Sequence, residues 1–117
     1  MTASLSPAAT TADGYRYLSR ASVDLWRSNT LTPAQFEQFS WAQLAGYGYG
    51  FGVRTMMDPA ACGALSPVGE FGWGGAAGVW VILDPDNRVA LVYTQHLLNN
   101  QEPFISPRIR NILYACL

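Results

Sequence analysis

Gly78 to Leu83 (GVWVIL) and Arg88 to Thr94 (RVALVYT) are β-rich runs separated by Asp84-Pro85-Asp86-Asn87, and no other feature constrains the fold as much. Turn formers between two runs of branched and aromatic residues predict a β-hairpin. Both runs are apolar on both faces. Val79, Val81 and Leu83 alternate with Trp80 and Ile82, and Val89, Leu91 and Tyr93 alternate with Ala90, Val92 and Thr94. Antiparallel strands that are greasy on both sides belong to a sheet covered on both faces.

The chain offers little to cover them. A short helix is expected after Ser19 as N-cap, with Val23, Leu25 and Trp26 as its apolar face up to about Ser28. Residues 33–44 place Pro33 at a first helical position and add a further helical turn. The last helix is expected from Ser106, with Ser106 as cap, Pro107 in first position and Ile109, Ile112, Leu113 and Cys116 at i, i+3, i+4, i+7. Upstream, Gly46 to Val53 (GYGYGFGV) alternates large residues with glycine and reads as a strand. Its bare glycine face lets another backbone or a large side chain approach closely. A loop of about twenty residues follows, with turn formers at Asp58-Pro59, Gly63 and Ser66-Pro67. The expected class is α+β: an antiparallel sheet with a central hairpin, flanked by a C-terminal helix and a short N-terminal helix. One such helix covers one face of a three-stranded sheet, so something else should cover the second.

Composition points the same way. Half of the 117 residues are hydrophobic and only 13% are charged, with four Trp, six Tyr and five Phe. That is more apolar surface than one small domain easily hides, so part of it is expected to face another polypeptide. The net charge of −1 gives no bulk attraction to nucleic acid or to an anionic membrane. No run approaches the ~18 apolar residues of a membrane-spanning helix. Residues 1–13, rich in Ala, Thr and Ser, read as a disordered leader or linker stub, without the basic and apolar regions of a signal peptide.

Few residue groups offer chemistry. His96 is the only histidine, at a strand end, and no G-x-S-x-G turn accompanies it, so no Ser-His-Asp triad is expected. One His with Cys62 and Cys116 does not make a metal site, and no cofactor is expected. The two cysteines read either as free thiols or as one disulfide. Asp84-x-Asp86-Asn87 starts like a calcium loop but breaks at Arg88 and Val89, and reads as a hairpin turn. The glycines at 46–52 miss the spacing of a phosphate-binding loop, and the aromatics among them lack a basic groove for stacking bases. Gly69-Glu70-Phe71-Gly72-Trp73-Gly74-Gly75-Ala76-Ala77-Gly78 remains. Its glycines either satisfy turns with positive φ or leave backbone exposed to a ligand at close range.

GYGYGFGVRT, EFGWGGAAGVWVILDPDNRVALVYTQ and SPRIRNILYACL, in that order, resemble the end of a serine hydrolase of the β-lactamase and penicillin-binding-protein superfamily, on its class C β-lactamase and esterase branch. LSRASVDLWRSNTLT is similar to the segment by which that family leaves a helix and enters the sheet. The resemblance runs from about Gly14 to Leu117, the last third or so of a typical member. It implies a sheet flanked by helices on both faces and three catalytic motifs: Ser-x-x-Lys, a Tyr-x-Asn type motif, and Lys-Thr-Gly or a variant such as Trp-Gly-Gly. Only the third has a counterpart. By the resemblance, Trp73 falls on its lysine, Gly74 on its threonine and Gly75 on its glycine. The backbone N–H of Ala76 would be one oxyanion-hole donor, and Trp73 favours the esterase-like branch.

The other two motifs are missing. All seven basic residues are arginine, so Ser-x-x-Lys does not occur, and no tyrosine is followed two places on by asparagine. The leading expectation is a C-terminal hydrolase fragment, inert alone, that completes an N-terminal polypeptide and supplies Trp73, Gly74, Gly75 and Ala76 to its site. The alternatives are a binding or homo-oligomeric assembly module without catalysis, and a decayed gene product without function.

Overall fold

The computed structural model describes residues 11, 13–98 and 101–117. The expected leader at 1–13 falls largely outside them. Of that stretch only Thr11 and Asp13 are described, and they fold into a turn onto Tyr15. The elements are α1 (Arg20–Trp26), α2 (Pro33–Gln38), β1 (Tyr47–Tyr49), β2 (Arg54–Met56), β3 (Phe71–Gly72), β4 (Trp80–Asp84), β5 (Val89–Tyr93) and α3 (Glu102–Ala115). Short 3-10 turns lie at Ala42–Leu44 and Ala60–Cys62. The strands form a five-stranded antiparallel sheet in sequence order.

Local chemistry starts the first two helices where the sequence places them. Ser19 Oγ accepts the Ser22 N–H at 3.0 Å at the head of α1. Thr32 and Gln35 form a reciprocal capping box ahead of Pro33. Such caps stabilise by about 1 kcal/mol each.

The segment read as one strand, Gly46–Val53, is instead a strand and a turn. β1 ends at Tyr49, Gly50 N–H bonds the Val53 carbonyl at 2.7 Å, and Gly52 sits at φ 77°. The chain reverses there and β2 pairs back onto β1, Tyr47 opposite Met56. Glycine makes the reversal cheap, because φ > 0 strains other residues. The close approach expected at the glycine face is present. A β-carbon on Gly48 would stand 2.6 Å from Asn29 Oδ1, and one on Gly50 would overlap the Trp26 carbonyl.

The hairpin forms as β4 and β5, registered from Trp80 opposite Tyr93 to Asp84 opposite Val89. Asp84 tightens its turn by accepting from the Asn87 backbone and side-chain amides at 3.1 and 2.7 Å. Trp80, Ile82 and Asp84 are buried, whereas Val92 on β5 is 65% exposed. The hairpin therefore sits at one end of the strand order rather than at its centre, and nothing among the described residues pairs with the far side of β5.

The last helix starts a turn earlier than expected. Pro103, in the first turn after Glu102, takes the place expected of Pro107, which lies inside the helix, and Gln101 rather than Ser106 holds the cap position. Its buried side also differs. Ser106 and Arg110 are buried, while Ile112 and Cys116 are exposed. Arg110 turns inward because polar partners wait inside.

Helices flank both faces. Val23 of α1 packs with Val53 and Phe71, joined by Trp26 and Leu83. On the other face Leu44, Tyr47 and Met56 form a second cluster, edged by Phe39 and Trp73. α3 meets this face, touching the 3-10 turn at Ala42–Leu44.

Candidate functional site

The glycine-dense segment continues β3 into a tight connection with β4. The Trp73 carbonyl accepts Val81 N–H at 2.8 Å, Gly74 bridges to Trp80, and Gly75 N–H donates to the Val79 carbonyl at 2.9 Å. Gly78 N–H then closes onto the Gly75 carbonyl at 2.8 Å, leaving Ala76 and Ala77 at the exposed tip.

The glycines of this segment differ in what the structure asks of them. Gly69 and Gly78 serve turns, each at φ 90°. Gly72 serves packing, since a β-carbon there would overlap the Val81 carbonyl oxygen. Gly75 serves neither. A β-carbon on it would meet nothing nearer than Val79 Cβ at 3.8 Å. Its N–H and carbonyl are taken up within the connection, and only the space at its Cα is open.

Trp73, Gly74, Gly75 and Ala76 line one side of a cleft of about 280 Å³. Trp41, Gln43, Leu44, Arg54 and Glu102 complete it from distant segments. That volume is near the lower end of small-molecule sites, whose walls are mostly apolar with a few polar groups. The aromatic wall is held in place: the Trp73 ring stands edge-on to Tyr49 at 5.3 Å between centroids, and Tyr49 packs on Phe39.

Behind the cleft lies a buried polar cluster that the sequence did not reveal. Tyr47 donates its hydroxyl hydrogen to Glu70 Oε2 at 2.7 Å, and Arg110 Nη1 donates to the Tyr47 oxygen at 3.1 Å. Arg54 Nη2 reaches Glu70 Oε1 at 3.7 Å and donates to the Val81 carbonyl at 3.0 Å. The Arg54 guanidinium also lies 4.1 Å from the centre of the Trp80 ring. Burial pushes the Glu70 carboxyl above its usual range, against the pull of Arg54, Tyr47 and Arg110. It pushes the Tyr47 hydroxyl up as well, helped by the Glu70 charge. At the cleft itself, burial raises the Glu102 carboxyl while Arg54 opposes that rise.

The four motif positions are thus brought together in one cleft. Sequence reasoning missed Trp41, Arg54 and Glu102, which join the cleft only through tertiary folding. Pro103 was the usable signal for Glu102, because it marks the first turn of α3. His96 is exposed beyond β5, and the calcium-like loop is a hairpin turn, as the sequence indicated. Cys62 and Cys116 are free thiols, which removes the disulfide reading.

Fold and site together define an α+β domain: an antiparallel sheet with helices on both faces and a glycine-edged cleft where one strand turns into the next. The chain belongs to the beta-lactamase family of serine hydrolase type, whose sequence profile matches residues 5–115. It is also similar to the uncharacterized protein MT1414 of Mycobacterium tuberculosis (strain CDC 1551 / Oshkosh) and to Protein Rv1367c of strain ATCC 25618 / H37Rv. Each match is 38% identical over 88 residues, covering 71% of this chain and 22% of the relative. The chain therefore spans about a fifth of the length of the curated relatives it matches.

Proposed function

We propose that this chain is the C-terminal part of a serine acyl hydrolase and carries the third-motif side of its active site. Trp73 and Gly74 form the wall against the acyl substrate, and Gly75 leaves room for the reacting carbonyl. The Ala76 N–H is one of the two donors that receive its oxygen as negative charge develops there. A preorganised donor of this kind contributes about 2.7–4 kcal/mol to lowering the barrier. The single observation carrying this reading is that Trp73-Gly74-Gly75-Ala76 edges a cleft in which Gly75 has no packing reason to be glycine.

The chain has no Ser-x-x-Lys and no Tyr-x-Asn, so it supplies neither nucleophile nor proton relay. Those groups come from a preceding polypeptide, which would also cover the exposed apolar side of β5. Alone the chain is inert towards acyl esters. Trp73 in the lysine position leaves no cation at that place on the strand, which favours esters without a carboxylate over β-lactams.

The test is co-expression with the part of a full-length relative that precedes its match to this chain, assayed with p-nitrophenyl acetate and a chromogenic β-lactam. Hydrolysis by the mixture, absent from either piece and lost on Gly75→Val, is expected. A folded, stoichiometric complex without activity would sink the reading. A discrete homo-oligomer that refuses the partner would favour a binding or assembly module.

A further inference from the structure

Among the described residues that line the cleft, Glu102 is the one ionisable group that solvent reaches. It stands in the first turn of α3, half-buried, with Oε1 only 2.9 Å from the place a Gly74 β-carbon would take. Among the described residues its carboxylate accepts no hydrogen bond and sits in no ion pair, although burial has stripped part of its water. A partly desolvated carboxylate without donors is costly, and a ligand that brings N–H donors relieves that cost.

The other charge in the cleft is directed elsewhere. Arg54 is 1% exposed, stacked on Trp80, bonded to the Val81 carbonyl and paired with Glu70. A ligand entering the cleft therefore meets Glu102 and two tryptophans, Trp41 and Trp73, before it meets any cation. Aromatic faces attract ammonium groups through the ring quadrupole, and a carboxylate beside them adds a charge-assisted hydrogen bond. The same carboxylate repels an anionic ligand.

We infer that the cleft selects small ligands bearing an alkylammonium group, held between the Glu102 carboxylate and the Trp41 and Trp73 rings, and disfavours carboxylates. This rests on the hydrolase reading only for its consequence in turnover: the acyl substrates would be amino-bearing esters or amides, with the ammonium group near the third-motif strand.

The experiment titrates the chain with three probes of similar size, benzylammonium, benzyl alcohol and phenylacetate, by calorimetry at pH 7.5. Benzylammonium should bind about tenfold tighter than benzyl alcohol, and phenylacetate weakest. Glu102→Gln should bring the amine and the alcohol within about twofold, while Glu102→Asp, which keeps the charge, should retain the preference for the amine. Equal binding of amine and alcohol, tighter binding of phenylacetate, no binding of any probe, or a preference that survives Glu102→Gln each overturns the inference. Binding is read without hydrolysis, so an inactive co-expressed complex leaves this result standing, and an active complex with no amine preference refutes only the charge selection.

Discussion

Gly72 lies so close under β4 that a β-carbon on it would overlap the carbonyl oxygen of Val81, whereas Gly75, three residues later, has open space at the same point. Packing therefore requires glycine at position 72 and not at position 75. Gly72→Ala should cost about 3 kcal/mol or more, because backbone must move apart in a packed sheet. Gly75→Ala should change stability by less than about 0.5 kcal/mol yet weaken benzyl alcohol binding. Urea unfolding of both variants checks the first half, and calorimetry the second. A Gly75→Ala protein as unstable as Gly72→Ala would show that both glycines serve packing.

Arg54 and Glu70 are each at most 1% exposed and 3.7 Å apart, so removing one strands the other without water. Arg54→Met should destabilise by about 3 kcal/mol. The double variant Arg54→Met with Glu70→Gln should recover part of that loss, because no unpaired charge remains. A double-mutant cycle in denaturant measures the coupling. Simple additivity of the two losses would mean that the pair does not act as a unit.

Glu70 also sets a pH dependence. Burial raises its carboxyl above the ordinary 4.5, so the folded chain holds that proton more tightly than the unfolded chain. Its stabilising contribution is complete below about 4.5 and is lost as pH rises through the raised value. Glu102 is raised in the same direction and for the same leading cause, so its effect has equal sign. The difference in urea midpoint between the native chain and Glu70→Gln should shift towards the variant between pH 4 and 8. A shift towards the native chain over that range would mean that Arg54 and Arg110 outweigh burial and depress the Glu70 carboxyl.

Much of this was legible in the sequence, and the reasons differ by element. The β4–β5 hairpin was readable because turn residues and β-branched runs act locally, and the start of α2 was readable through Pro33, without the capping box ahead of it. The Trp73–Ala76 edge was singled out through the family resemblance, since glycine density by itself left turn and ligand-facing readings both open. What escaped depends on distance along the chain. Glycine alternation at 46–53 mimics a strand, and only the pairing of Tyr47 with Met56 reveals the reversal. The apolar spacing of Ile109, Ile112, Leu113 and Cys116 gives no sign that Arg110 is buried, and its burial follows from Tyr47, 63 residues earlier. Glu102 and Arg54 reach the cleft from elements with no local signature of a site.

The position of Pro107 gives a last test that bears on the corrected helix. If Pro107 began the helix, replacing it would lose a favourable first residue and gain nothing. It lies inside α3 instead, where it has no N–H to offer the carbonyl of Pro103, one turn earlier. Pro107→Ala restores that donor and removes the ring, so the chain should gain about 1–3 kcal/mol. Urea unfolding with far-ultraviolet circular dichroism reads both stability and helix content. A neutral or destabilising effect would place the helix start at Ser106 and remove Glu102 from the first turn, and with it the geometry that brings its carboxylate to the cleft.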